Sequence, residues 1–164
     1  MNQQAVAVFR GKVEGEVVAT NHSGGVRLIA TFTMLPPGPH GFHIHKAGDL
    51  RGEGCMGLCE HYDIGHHHHG AGPSSTKERH TGDLGNIEIK EGKKQVRKTY
   101  MLKGVSVQDL WGRSIIVHED EDDVGKGQFD DSLITGHSGK RMACSIFGRG
   151  MCPPKYNVTR KRNG

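Results

Sequence analysis

Hydrophobic and polar residues alternate along much of the chain, which is the pattern of strands with one face in a core and the other in water. The alternating runs are short and rich in Val, Ile, Thr and Phe, and no window has the apolar period of about 3.6 residues that marks an amphipathic helix. The pattern predicts eight strands, at residues 5–10, 13–20, 26–35, 41–46, 82–88, 93–103, 114–118 and 141–147. We therefore predict an all-β chain whose antiparallel strands form a Greek-key barrel or sandwich.

Two long segments interrupt the alternation, at residues 47–81 and 119–139. A connection beyond about 15 residues without periodicity is usually functional or disordered in a compact domain. The first segment contains two cysteines and six histidines, so a metal ion or a disulfide would order it. The short turn sequence Asn21–Gly25 predicts a hairpin between the second and third strands.

The length of 164 residues suits a single domain with its own core. Residues 1–148 are predicted to form that domain, and residues 149–164 a polar, basic C-terminal tail. The 25 glycines are typical of a protein with short strands and many turns. The 12 histidines are too many for an ordinary surface of this size, and they are the strongest anomaly of the composition.

Charge is distributed unevenly along the chain. Residues 119–131 hold seven carboxylates and one lysine, a formal charge of −6, so the remainder carries +10 and the net charge is +4. A positive body favours small anionic partners and speeds their encounter. The basic cluster in the tail has no recognisable binding motif, and we predict no nucleic-acid binding. That cluster consists of Lys155, Arg160, Lys161 and Arg162.

Neither a membrane segment nor a leader is visible in the sequence. No apolar run approaches the roughly 18 residues that a membrane helix needs, so no membrane association is predicted. The first nine residues lack the cationic region and apolar stretch of a secretory signal. An intracellular, cytoplasmic location is therefore expected.

Six histidines and one aspartate stand out by position: His43, His45, His61, His69, His80, Asp83 and His118. His43 and His45 are two residues apart on a predicted strand, so their side chains share one face and can bind one metal ion. Three imidazoles and a carboxylate suit a closed tetrahedral zinc site. Three further imidazoles suit copper, with a position open to a small ligand. Each histidine alone would be commoner as a solvated side chain, but their combination indicates a metal centre.

The four cysteines are Cys55, Cys59, Cys144 and Cys152. None forms a C-x-x-C pair, so neither a zinc ribbon nor a thioredoxin-like site is indicated. Free thiols would be the default in a reducing compartment.

Several segments resemble those of the copper/zinc superoxide dismutase family, in the family's order and over roughly residues 5–148. They are Gly41–His45 with Gly48-Asp49, Gly54-Cys55 and His61, then His80–Asn86, Val117–Glu119, Asp122–Gly127, Thr135-Gly136 and Gly139–Cys144. The resemblance implies an eight-stranded Greek-key β-barrel with a metal-binding loop and an electrostatic loop. It also implies disproportionation of superoxide to dioxygen and hydrogen peroxide, with copper alternately reduced and oxidised beside a structural zinc ion.

The same resemblance assigns the candidate ligands to two ions. Copper would be held by His43, His45, His61 and His118. Zinc would be held by His61, His69, His80 and Asp83, so that His61 bridges the two ions. In the tract 66–69, only His69 follows His61 by eight residues, which is the family's spacing, and His68 is its competitor.

Further roles are implied by the family. Arg141 would act in catalysis by docking the small anion beside copper, and His61 would act in catalysis by supplying a proton. Asp122 would tether one copper histidine, His43, and one zinc histidine, His69. Cys55 and Cys144 would form the intrasubunit disulfide, with Cys59 as a rival partner or a stray metal ligand.

The chain departs from the family in the electrostatic loop and after the last strand. Asp120 and Ile134 stand where the family has lysines that attract superoxide, which leaves Lys126 and Lys140 for that task. The family also implies a homodimer and a copper-delivery protein as partners. Arg149 stands where apolar residues of the dimer interface are usual.

Two other classes of function share some of these features. A non-catalytic copper- and zinc-binding or copper-buffering protein would have the same fold. An interaction module with incidental histidines would bind no stoichiometric metal. A relative without turnover should lack a copper ligand or Arg141, and none of these residues is missing here.

Overall fold

The computed structural model of the protein describes residues 3–75 and 77–150. The strands in these ranges are β1 (Gln4–Phe9), β2 (Glu14–His22), β3 (Gly25–Met34), β4 (His40–His45), β5 (Asp83–Ile87), β6 (Val96–Lys103), β7 (Ser114–His118), β8 (Arg141–Ile146) and β9 (Gly148–Arg149). Single helical turns occur at α1 (Val107–Leu110) and α2 (Ser132–Thr135), with a 3-10 turn at Met56–Leu58. Most of the predicted tail, including Cys152 and the basic cluster, lies outside the described residues.

The strands form two antiparallel sheets. One has the order β6–β3–β2–β1–β9 and the other the order β5–β4–β7–β8. The predicted hairpin joins β2 to β3, with His22 opposite Gly25. The neighbours β3–β6 and β4–β7 are not consecutive in the chain, and such crossovers are those of a Greek key. The prediction of an all-β, antiparallel Greek-key fold is confirmed.

The core lies between the two sheets and is built from alternate residues of each strand. Leu28 and Phe32 enter it from β3, and Phe42 and Ile44 enter it from β4. The rings of Phe32 and Phe42 meet edge to face across the core, with centroids 5.6 Å apart. These contacts fix which face of β4 points inward.

The outer face of β4 carries the His-x-His pair. Phe42 and Ile44 occupy the core, so His43 and His45 project from the opposite face by the alternation of a strand. All six residues of β4 are nevertheless buried, because the long loops cover this outer face. Strand β7 runs beside β4 and brings His118 to the same face.

The connection between β4 and β5 is ordered by the sheet and by a disulfide. Tyr62 N donates to Ile44 O (2.7 Å), and Gly82 N donates to Tyr62 O (2.7 Å), so the loop lies along β4. The predicted disulfide between Cys55 and Cys144 is confirmed, and it attaches the loop to β8. The segments that lack periodicity therefore have defined positions over the outer face of the second sheet.

Three local features differ from the sequence prediction. The turn α1 has a capping box between Ser106 and Asp109, but one turn is too short to show a helical period. The turn α2 within the acidic segment was likewise not predicted. Arg149 was predicted to begin the tail, but it lies in β9 and pairs with Ala5 of β1. The predicted boundary at residue 148 therefore falls inside a short edge strand.

Within the described ranges, no helix is both long and apolar enough to cross a membrane.

Candidate metal centre

Four buried imidazoles converge on the outer face of the second sheet. Donor atoms of all four lie within 4.8 Å of one another. One ring nitrogen of each has no hydrogen-bond partner within the described residues. These nitrogens are His43 Nδ1, His45 Nε2, His61 Nε2 and His118 Nε2. Buried polar atoms are rarely left unpaired, so this convergence points to a ligand that the four nitrogens share.

The opposite ring nitrogens of the group are held by acceptors. His43 Nε2 donates to Asp122 Oδ2 (2.7 Å), and His45 Nδ1 donates to Cys59 O (2.8 Å). His118 Nδ1 lies 3.3 Å from Gly139 O. Because a neutral imidazole carries one N–H, donation on this side leaves a lone pair on the converging nitrogen. A carboxylate or a carbonyl behind a metal-binding histidine commonly has this function.

The histidines of this group resist protonation. Burial, and then the nearby His61, lowers the pKa of His45 and His118, the latter to about 4. The same two causes lower the pKa of His43 well below its usual value. The rings are therefore neutral near pH 7, which is the state in which imidazole binds a metal ion.

A second group shares His61 with the first. Asp83 Oδ1 lies 2.8 Å from His61 Nδ1, 3.0 Å from His69 Nδ1 and 3.3 Å from His80 Nδ1. His61 Nδ1 and His80 Nδ1 are 3.4 Å apart. Donors about 2 Å from one tetrahedral ion are about 3.3 Å from each other. These four distances therefore match the spacing of donors in a compact tetrahedral site.

Two other histidines are alternatives to members of this second group. His43 has a ring nitrogen within 4.8 Å of the donors of His61, His69 and Asp83. Its Nε2 is occupied by Asp122, however, and its Nδ1 belongs to the first group, so His80 is the better fourth donor. His68, the sequence-based competitor of His69, is exposed, whereas His69 is buried in the group.

The second group is rich in negative charge. Burial opposes ionisation of Asp83, but the hydrogen bond from His61 and the close approach of His69 Nδ1 outweigh it and lower the pKa of Asp83. Burial also opposes protonation of His69, but its hydrogen bond to Asp122 and the nearby Asp83 carboxylate raise the pKa of His69 to about 9. A cation is thus favoured at this position, and a metal ion can replace the ring proton on Nδ1.

Asp122 links the two groups from behind. Its Oδ2 accepts from His43 Nε2 (2.7 Å), and its Oδ1 accepts from His69 Nε2 (2.8 Å). Asn86 holds Asp122 in turn, because its side-chain amide bonds both to Asp122 N (2.7 Å) and to Asp122 O (2.9 Å). A side chain at Gly136 would collide with Asp122 and His69, so only glycine lets the acidic loop approach here.

Arg141 lies beside the first group and is held by the connection between β4 and β5. It donates from Nη1 to Cys55 O (2.9 Å) and from Nη2 to Cys59 O (2.5 Å). Cys59 O also accepts from His45, so one carbonyl orients both the guanidinium and a ring of the first group. Lys140 and Arg141 line a hollow of about 720 Å³ next to this position. Lys126 instead lines a different hollow, beside His68.

Two contributors to the site were missed by the sequence analysis. Asn86 was included in a motif but given no function, although a polar amide in a short buried strand was a signal. Cys59 was considered for its sulfur, yet its thiol is free and exposed and only its carbonyl takes part. The sequence carries no signal for a backbone carbonyl.

A family model described as copper/zinc superoxide dismutase matches residues 13–147, which include every residue of both groups. The chain belongs to the copper/zinc superoxide dismutase family. The resemblance stated from the sequence is thereby confirmed.

Individual relatives are of more than one kind. The superoxide dismutase [Cu-Zn] of Paramecium bursaria Chlorella virus 1 is 42% identical over 147 residues, which are 88% of this chain and 77% of that protein. The copper chaperone for superoxide dismutase of Mus musculus is 41% identical over 150 residues, 88% of this chain but 53% of the chaperone. Among solved structures, the clock protein EA4 matches with a TM-score of 0.78 and 34% identity, covering 89% of this chain and 93% of that one.

Copper and zinc, the metals of the family, suit the donors found here. The unpaired nitrogens of the first group are imidazole donors, which copper accepts readily. The three imidazoles and one carboxylate of the second group have the composition and spacing of a closed zinc site.

Proposed function

We propose that the protein is a superoxide dismutase, converting superoxide to dioxygen and hydrogen peroxide. Copper would be held by His43, His45, His61 and His118, and zinc by His61, His69, His80 and Asp83. The observation that carries the proposal is the convergence of four unpaired, buried ring nitrogens beside the anchored guanidinium of Arg141. When bound, copper supplies one-electron redox chemistry, and zinc, which has none, supplies fixed positive charge.

Arg141 is the group that docks the substrate in this proposal. Its guanidinium is fixed by the carbonyls of Cys55 and Cys59, so it presents its charge without further ordering. Superoxide is a small anion, and a fixed cation beside the residues that would hold copper would both attract and orient it.

His61 is the group that handles a proton. Formation of hydrogen peroxide consumes protons together with the second electron, and His61 Nε2 can carry one of them. The ring would keep its place when Nε2 is protonated, because its Nδ1 belongs to the second group, 2.8 Å from Asp83, among the residues that would hold zinc. His61 therefore belongs to both groups for a chemical reason.

A non-catalytic copper-binding protein is the second candidate. Copper chaperones among the relatives, at 41% identity, favour it. Metal analysis combined with a superoxide-consumption assay separates the two. We expect protein with copper and zinc bound to consume superoxide catalytically; bound metal without consumption would support the second candidate, and absence of stoichiometric metal would contradict both.

Partners are proposed from the family. The chaperones among the relatives support a copper-delivery protein as one partner, and family membership supports a homodimer. Analytical ultracentrifugation over a range of concentrations would detect the dimer, and a monomer throughout would exclude it.

Two substitutions of Arg141, to alanine and to lysine, test whether this residue docks the substrate. Arg141→Ala is expected to lower the second-order rate constant for superoxide by about 10- to 100-fold, since it removes a fixed charge beside the site. Arg141→Lys should recover part of this loss, because the charge returns but one ammonium cannot bond both carbonyls in the same way. Stopped-flow decay of superoxide measures the effect at equal metal content.

Arg97→Ala is the matched control for this test. It removes the same charge from an exposed position on β6, which belongs to the other sheet. If this control slowed the reaction as much as Arg141→Ala, net charge rather than docking at Arg141 would explain the effect.

Removing the Asp122 carboxylate tests the link behind the two groups. Asp122→Ala frees His43 and His69 at once and is expected to weaken metal binding by about 10- to 100-fold. Competition with a chelator, followed by metal analysis, measures this affinity. Asp130→Ala removes an exposed carboxylate of the same loop and should change little; equal losses in both variants would show that Asp122 has no special part.

A further inference from the structure

The tract His66–His69 is only partly used by the two buried groups. His69 is buried in the second group, whereas the three histidines directly before it are exposed. Neutral imidazole is a preferred ligand of zinc and of copper(II). Three consecutive exposed imidazoles are therefore a feature with metal-binding capacity that the buried groups do not use.

The ring and backbone of His67 are both held by one carboxylate, that of Asp63. Its Nδ1–H donates to Asp63 Oδ1 (3.0 Å), and its backbone N–H donates to Asp63 Oδ2 (2.9 Å). Thr81 holds Asp63 from the other side through its backbone N–H (3.2 Å) and its hydroxyl (3.1 Å). A carboxylate that accepts one ring N–H leaves the other nitrogen with its lone pair. The His67 side chain is 46% exposed.

The residue two positions before His67 is compatible with this orientation of the ring. A side chain at Gly65 would collide with the ring of His67, so glycine makes room for the imidazole to reach Asp63. The absence of a side chain at Gly65 thus leaves the His67–Asp63 pair unobstructed.

A carboxylate borders the same tract. Glu78 Oε1 accepts from His68 N (2.9 Å). Glu78 lines one hollow together with His68 and an adjacent hollow together with His67. Lys77 lines both hollows as well, and its charge opposes a cation, so the imidazoles have to provide most of the binding.

We propose that His66, His67 and His68, with Glu78, form an open surface site for a further divalent ion of the zinc and copper(II) class. In the part of the chain that the structure describes, three or more donors lie within 4.8 Å of each other in the two buried groups alone. The surface site therefore closes by rotation of exposed side chains, with water completing the coordination. It binds more weakly than the buried groups and lies at the outer end of the segment that leads to His69.

Zinc titration of the loaded protein tests this site. The full chain, with its copper and zinc content measured first, is dialysed against increasing free zinc, and bound zinc is counted by mass spectrometry. We expect one further zinc per chain at micromolar free zinc. The triple variant His66→Asn/His67→Asn/His68→Asn should bind this ion at least about tenfold more weakly, with unchanged superoxide consumption.

The control variant His22→Asn/His137→Asn removes exposed histidines elsewhere and should titrate like the unmodified chain. The proposal is overturned if the unmodified chain takes up no further zinc, or if the triple and control variants lose affinity equally. Because the initial metal content is measured separately, failure of the buried groups to hold copper and zinc would be recognised as a different result.

Discussion

Replacing His118 with alanine is expected to abolish superoxide consumption while zinc stays bound. His118 Nε2 is one of the four converging nitrogens of the first group, and no donor of the second group comes from His118. Its loss leaves copper with too few imidazoles, and we expect activity to fall by about three orders of magnitude or more. Stopped-flow decay of superoxide and metal analysis of the same sample measure both quantities.

His22→Ala is the matched control, because it removes an exposed histidine at the end of β2. It should leave both activity and metal content unchanged. Loss of zinc together with copper in His118→Ala would show that the ligands are divided wrongly between the two ions. Retained activity would show that His118 is not a copper ligand.

Removing the disulfide is expected to cause the largest loss of stability. Cys55 and Cys144 are separated by 89 residues, and closing a loop of this length stabilises by about 4–5 kcal/mol in the chain-entropy model. The double variant Cys55→Ala/Cys144→Ala should lose about this free energy of unfolding. Urea denaturation of metal-free protein measures it without the contribution of bound ions.

The disulfide variant should also be less active at equal metal content. The carbonyl of Cys55 accepts from Arg141, so releasing the loop from β8 disturbs the docking group. Cys59→Ala is the control, since it removes an exposed free thiol, and its stability should change by less than about 0.5 kcal/mol. A double variant no less stable than this control would contradict the expectation.

The main strands and the confirmed disulfide could be predicted because their signals are local or carried by motifs. Alternation placed His43 and His45 on one face of a strand, and in the structure both lie opposite the core residues Phe42 and Ile44. The family segments around Cys55 and Cys144 predicted a bond across 89 residues that spacing alone could not supply. The same segments predicted which histidines the fold brings together.

Other features could not be read from the sequence because they depend on tertiary contacts. The carbonyl of Cys59 accepts from both His45 and Arg141, and a backbone acceptor leaves no trace in residue type. Strand β9 forms only because Arg149 meets Ala5 across the sheet edge. Asn86 clamps the backbone of Asp122 across 36 residues; its amide in a strand signals a function, but the partner it binds is decided by the fold.

Catalytic turnover of superoxide by protein with measured copper and zinc is the most direct test of the proposed function. The chain is mixed with excess superoxide, and the decay of superoxide and the formation of hydrogen peroxide are followed together. We predict that each copper consumes many molecules of superoxide, with half as much hydrogen peroxide formed as superoxide lost. Consumption that stops at the amount of bound copper would contradict an enzyme and identify a copper-binding protein instead.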